Sequence, residues 1–212
     1  MARRNKNNEG LGPYHVSART NNADWFNLEM EQVWDIMGRY LFFIHHAFNV
    51  KIHSFVLMNN HFHLIISTPE NNLSAAMNYF MRETSRVIAQ ESGRINHIYG
   101  GPFFRSHIRN FHYFTHAYKY VYRNPVEAKL STTVEAYPYS TLHGLFGLKK
   151  MIIPMCEDTL LFDSNLKTLE WLNEKPPVER REMIRRALRK ESFSFPQEPH
   201  SREAHPLETE LY

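Results

Sequence analysis

Val50-Lys51-Ile52-His53-Ser54-Phe55-Val56-Leu57-Met58-Asn59-Asn60-His61-Phe62-His63-Leu64-Ile65-Ile66-Ser67-Thr68 is two apolar runs joined by an Asn-Asn pair. Runs of this length, rich in Val, Ile and Phe, read as strands. Asn tolerates the positive φ that tight hairpin turns favour, so the stretch predicts a hairpin turning at Asn59-Asn60. Side chains alternate across a strand, so His61 and His63 leave the second strand on one face while Phe62 enters the core from the other. Neutral imidazole is a common ligand of divalent metals, and two such ligands on one rigid strand make half of a coordination sphere. A bare His-x-His is equally the mark of a surface or hydrogen-bonded pair.

Toward the N-terminus, Leu28, Val33, Met37, Leu41, Ile44 and Phe48 recur at near-helical spacing and predict an amphipathic helix over about 27–48. Before it, Gly12 to Thr20 alternates apolar and polar residues as a half-buried strand does, and Asn21-Asn22 ends it. Toward the C-terminus, Pro69-Glu70-Asn71-Asn72 breaks the chain ahead of a second helix, about 74–91, closed by Gly93. Phe104, Ser106 and Ile108 then alternate with Arg105, His107 and Arg109, which suggests a last strand with one basic face. Helical pattern resumes at about Tyr113 and runs toward Leu130. The order β-α-β-β-α-β followed by an extra helix predicts an α+β, ferredoxin-like arrangement: an antiparallel sheet with helices packed on one face. Three regions follow: a flexible leader over 1–11, one domain over 12–147, and an extension over 148–212. In that extension 179–190 reads as an exposed basic helix, and the Pro-, Glu- and His-rich end from Ser194 as disordered.

The chain has 212 residues, enough for one sizeable core, and no run of about 18 apolar residues, which excludes an apparent membrane-spanning helix. Its single Cys156 allows neither an internal disulfide nor a Cys-rich zinc site, in keeping with a reducing cytoplasm. Charge is uneven: residues 1–150 carry 16 Lys and Arg against 10 Asp and Glu, residues 151–212 carry 9 against 12. A basic front with many aromatic residues suits a nucleic acid, whose phosphates need cations and whose unpaired bases need flat faces.

A second constellation lies on the late helix, where His112, His116, Tyr120 and Asn124 are spaced by four and share a face. A phenol is a poor nucleophile at its usual pKa near 10, but it can attack a phosphodiester when a metal withdraws charge from the phosphate oxygens. Tyr118 and Tyr122 read as packing residues. Asn124 has two readings: a hard-cation ligand through its amide oxygen, or the N-cap of a new helix begun by Pro125 with Glu127 at its third position.

Met58-Asn59-Asn60-His61-Phe62-His63-Leu64-Ile65-Ile66 resembles the hairpin and His-hydrophobic-His segment of the HUH single-tyrosine transposases. Tyr120-Val121-Tyr122-Arg123-Asn124-Pro125-Val126-Glu127-Ala128 resembles the tyrosine helix of their REP-associated members. The likeness takes in Tyr14-His15-Val16 and Tyr137-Pro138-Tyr139-Ser140, and so spans about 12–147. It implies His61 and His63, with Asn124, as ligands of Mg²⁺ or Mn²⁺, and Tyr120 as nucleophile. The implied reaction is cleavage of single-stranded, hairpin-forming DNA to a 5′-phosphotyrosine and a free 3′-hydroxyl, followed by rejoining, as in transposition or processing of repeated palindromes. The implied setting is the bacterial cytoplasm, at the nucleoid.

Arg19, Arg105, His107 and Arg109 are candidate DNA contacts, although the last three also fit a charged sheet edge. His116, one turn before Tyr120, is a candidate for tuning the proton of that phenol. Monomer and homodimer are both compatible with the sequence. A competing expectation is a non-catalytic module binding single strands on the same type of sheet; another is a metal-dependent phosphohydrolase using water.

Overall fold

A computed structural model describes residues 12–156 and 164–195 together with His205 and Leu207. The leader over 1–11 and most of the segment after Phe195 lie outside the described residues. Seven elements come in the expected order: β1 (Tyr14–Arg19), α1 (Met30–Phe48), β2 (Lys51–Met58), β3 (His61–Ser67), α2 (Leu73–Ser92), β4 (Phe104–His107) and α3 (Phe111–Glu127). The strands form one antiparallel sheet in the order β2-β3-β1-β4, as a ferredoxin-like arrangement requires.

The alternation along the strands divides the core in two. Val16, Ala18, Phe55, Leu57, Phe62 and Leu64 face α1 and α2, where Phe62 meets Phe55, Phe80 and Tyr99 ring to ring. Val56, Met58 and Ile65 face the other way, against Ala117, Tyr118, Val121 and Tyr122 of α3. The sheet is therefore covered on both faces, with α3 opposite the α1/α2 pair. Tyr118 and Tyr122 are fully buried there, and the Tyr122 hydroxyl lies 3.0 Å from Thr141 Oγ1.

Three local features depart from the sequence reading. The β2–β3 turn sits at Asn59-Asn60, but neither residue has a positive φ. Asn60 is there for its hydrogen bonds: its Nδ2 donates to Ala23 O at 2.8 Å, its carbonyl accepts from Thr20 N at 2.9 Å, and its Oδ1 meets His61 Nδ1 at 2.7 Å. Next, α3 does not stop before Pro125, so Asn124 is not an N-cap. The helix starts two residues earlier than expected, where Asn110 Oδ1 accepts from Tyr113 N at 2.8 Å. It then carries Pro125 in its last turn, braced by Arg123, which pairs with Glu127 at 2.9 Å across the proline.

Third, the extension belongs to the same body. Beyond α4 (Leu142–Leu145), it contributes α5 (Asn165–Asn173) and α6 (Val178–Ala187), and Leu172, Ile184, Ala187 and Leu188 join α3's core cluster. Of the end read as disordered, Phe195 and Leu207 are buried in that same cluster; apart from these two, Ser194 and His205, it lies outside the described residues. The flanking chain also closes the sheet's edges. Leu57 N donates to Tyr139 O beside β2, while His107 N donates to Glu191 O and Phe193 N to His107 O beside β4. Among the described residues no helix is long and apolar enough to cross a membrane.

Candidate active site

Register places the histidines. His63 stands opposite Ser17, His61 opposite Arg19, and His15 opposite both Ile65 and Ser106, so His15, Ser17, His61 and His63 all project toward α3. Tyr120 comes down on them from α3. Its ring centroid lies 5.7 Å from that of His63 and 6.4 Å from that of His15, each edge to face, and the His61 and His63 rings are 5.0 Å apart. Tyr120, Asn124, Arg19, His61 and His63 border one open cleft of about 430 Å³.

The hydrogen bonds determine which nitrogens are left over. His61 Nδ1 is held by Asn60 Oδ1, and His63 Nδ1 lies 2.9 Å from His15 Nε2, so Nε2 is the remaining ring nitrogen of each. Asn124 Nδ2 donates to Tyr120 O at 2.9 Å, which leaves the amide oxygen as that side chain's remaining donor atom for a cation. Burial pushes the pKa of His61 down to about 4, with a smaller push from Arg19, and that of His15 down to about 4 as well. His63 is held well below the usual range by burial first and by its two histidine neighbours second. All three rings are thus neutral near pH 7, the form in which imidazole binds metal. Burial raises the Tyr120 pKa, opposed in part by Arg185 and Arg189.

Residues 13–122, just over half of the chain, match the family model described as Transposase IS200 like. This chain is an IS200-like transposase. The family is one of single-tyrosine transposases acting on single-stranded DNA, and its members generally depend on a divalent metal. Among solved structures, this transposase resembles one titled as a REP-associated tyrosine transposase bound to a REP hairpin, with 19% identity and a TM-score of 0.56 over 84% of this chain and 99% of that one. At that identity the likeness is one of fold. No curated protein matches the transposase.

Two imidazole nitrogens and an amide oxygen make a mixed nitrogen and oxygen set that suits Mg²⁺ poorly through nitrogen and Mn²⁺ rather better. Among the described residues no three His, Cys, Asp or Glu side chains are arranged to hold an ion by themselves, so a cation here would also draw on the amide, water or substrate oxygens. Within those terms the residues present fit a divalent ion.

The transposase's site also contains residues that sequence reading passed over. His15 lies in the opening strand, which counted toward the family likeness without any role at the site for this histidine. Ser17 and Phe104 line the cleft, as do Arg185, Leu188 and Arg189 from α6 and the turn after it. Only the tertiary placement of the extension could reveal those last three. Conversely, Arg105 pairs with Val16 and His107 with Tyr14, which puts both on the opposite face from Tyr120, where the His107 ring packs 4.9 Å from that of Tyr14. Arg109 lies beyond the end of β4 and does not border the cleft. His116 borders a second pocket next to Tyr120, and its Nε2 sits 2.7 Å from Leu207 O.

Proposed function

We propose that this transposase cleaves and rejoins single-stranded, hairpin-forming DNA through a covalent bond to Tyr120, with a divalent cation at His61 Nε2, His63 Nε2 and the Asn124 amide oxygen. The observation that carries the reading is that one phenol faces the neutral histidine pair across one open cleft, 5.7 Å from His63 ring to ring. The bound cation, Mn²⁺ or Mg²⁺, would draw charge from the non-bridging phosphate oxygens.

Tyr120 then supplies the nucleophile. Its hydroxyl oxygen forms the new bond to phosphorus while the bond to the 3′-oxygen breaks; the phenol gives up its proton, and the departing oxygen takes one up as a free 3′-hydroxyl. The product is a 5′-phosphotyrosine. Because bond energy is retained, an incoming 3′-hydroxyl can reverse the exchange on another strand without ATP. Arg19, Arg185 and Arg189 border the cleft and are assigned to the phosphate backbone there, where cations supply most of the affinity. Arg105, His107 and Arg109 are assigned to DNA outside the cleft, and His116 to shaping the surroundings of the phenol. The catalytic region over 12–147 works together with the extension over 148–212. A hairpin substrate is carried over from the solved relative, which was determined with a REP hairpin.

The test is a labelled hairpin oligonucleotide with a single-stranded flank, incubated with protein and Mn²⁺ or Mg²⁺ and run on a denaturing gel. A protein-linked band that vanishes in chelator and in Tyr120→Phe supports the reading. Retarded DNA on a native gel with no covalent band under any ion would instead support a non-catalytic binding module, and free cleaved product without the band a water-using hydrolase.

A further inference from the structure

Phe103 and Phe104 are neighbours in sequence with opposite surroundings. Phe103 packs against the α1/α2 core, whereas Phe104, the first residue of β4, turns to the α3 face and belongs to neither core cluster. Its ring is 38% exposed and meets no other ring among the described residues, yet it borders the cleft of Tyr120, His61 and His63. Two features of the sheet keep it open. Its cross-strand partner on β1 is Ser17, whose side chain is too small to cover a ring. On the outer edge of β4, the backbone bonds from Glu191 and Phe193 among the described residues reach only His107, three residues further on.

A single exposed phenylalanine is ordinary on a protein surface. This one is set apart by its company. Arg19 and Arg189 border the same cleft and are exposed, and among the described residues neither guanidinium has an ion-pair or hydrogen-bond partner. Arg185, by contrast, is held by Glu182 at 2.6 Å. Free, accessible guanidiniums attract phosphate, and an uncovered aromatic face takes an unpaired base. An unpaired nucleotide presents both groups at once.

We propose that Phe104 is a stacking platform for one unpaired base next to the scissile phosphate, with the adjoining backbone phosphates at Arg19 and Arg189. The inference rests on the reading of this cleft as the place where DNA is cleaved, and adds a residue that holds the strand by its base. Every base offers a flat face, so the contact positions the strand with little regard to sequence. Stacking on β4 keeps the strand from sliding along the cleft, and so selects the phosphate that lies against Tyr120.

Two measurements separate the platform from the nucleophile. The first uses the full chain carrying Tyr120→Phe, which keeps the cleft and lacks the hydroxyl. Its binding to labelled hairpin oligonucleotides in Mg²⁺ is followed by fluorescence anisotropy, with one abasic site at each single-stranded position in turn. At one position loss of the base should weaken binding about tenfold, in the range set by stacking. Phe104→Ala should weaken binding of intact DNA by a similar factor and make the abasic site at that position cost nothing further, while Phe104→Tyr restores both. A merely structural role for the ring would instead give additive losses at every position. The second measurement follows adduct formation by the chain with Tyr120 intact, where Phe104→Ala should raise KM about tenfold and remove discrimination at that same position.

Adduct formation with additive losses throughout overturns the platform and leaves the nucleophile standing. A non-additive position in binding, with no adduct from the chain that retains Tyr120, supports the platform and overturns the nucleophile. Absence of both overturns both.

Discussion

His15 stands opposite Ile65 in the sheet, yet its ring reaches the diagonal neighbour His63, within the span that cross-strand side chains can bridge. Imidazoles that bind metal generally use their second nitrogen to fix the tautomer, and Asn60 and His15 stand in that relation to His61 and His63. Loss of such a partner usually costs ~10–100-fold in metal affinity or activity. His15→Ala should therefore weaken Mn²⁺ binding by about tenfold or more in calorimetry while the circular dichroism spectrum is retained; unchanged affinity would show that His63 needs no such support. At this scale the sequence was informative where chemistry is local. The His-x-His spacing names its own face of the strand. The role of Asn60 was misread because a turn pair suggests backbone φ, whereas the residue serves through hydrogen bonds to Thr20 and Ala23, distant in sequence, and to the ring of its neighbour His61.

The elements show where periodicity suffices and where register is also needed. Alternation in β4 was visible, but which face points at α3 depends on pairing with β1: Phe104 faces Ser17 and Ser106 faces His15, so Arg105 and His107 turn away. Pro125 misled in another way. Proline disfavours helix at the residue before it and costs ~3 kcal/mol in a helix interior, so a break was expected. The buried faces of Val121, Tyr122, Arg123 and Pro125 itself outweigh that local preference and hold the helix through to Glu127. Pro125→Ala should accordingly raise stability by about 1–2 kcal/mol, since the Val121 carbonyl regains an amide donor and only part of the ring's packing is lost. Thermal unfolding checks this. A lower Tm would mean that the ring packs too well to replace.

For the whole molecule, the histidines couple stability to pH. In the folded chain His15, His53 and His61 titrate near 4 and His63 well below its usual range, all chiefly because burial disfavours the charged form; unfolded histidine titrates near 6.5. Between those values the unfolded chain binds protons that the folded chain refuses. Stability therefore falls as pH drops through 6.5 toward 4, by up to about 1.4 kcal/mol per pH unit for each such histidine. Urea midpoints at pH 7.5, 6 and 5 should decline steadily, over a range above the usual titration of carboxylates; equal midpoints would contradict the burial of these rings.

The same scale explains what sequence could not supply. The ferredoxin-like order was legible because each strand and helix carries its own period. That α6 and the turn after it would bring Arg185 and Arg189 to the histidine cleft depends on how Ile184 and Leu188 pack against α3, which no local pattern encodes.

The central claim is that Tyr120 takes up the DNA, and the most direct measurement is to locate the covalent link. Trypsin, cutting after Lys119 and Arg123, releases Tyr120-Val121-Tyr122-Arg123, so nuclease-trimmed adduct can be sequenced by fragmentation mass spectrometry. Phosphonucleotide mass on Tyr120 is the expected result. The same mass on Tyr122, or on a peptide from elsewhere in the chain, would contradict the account.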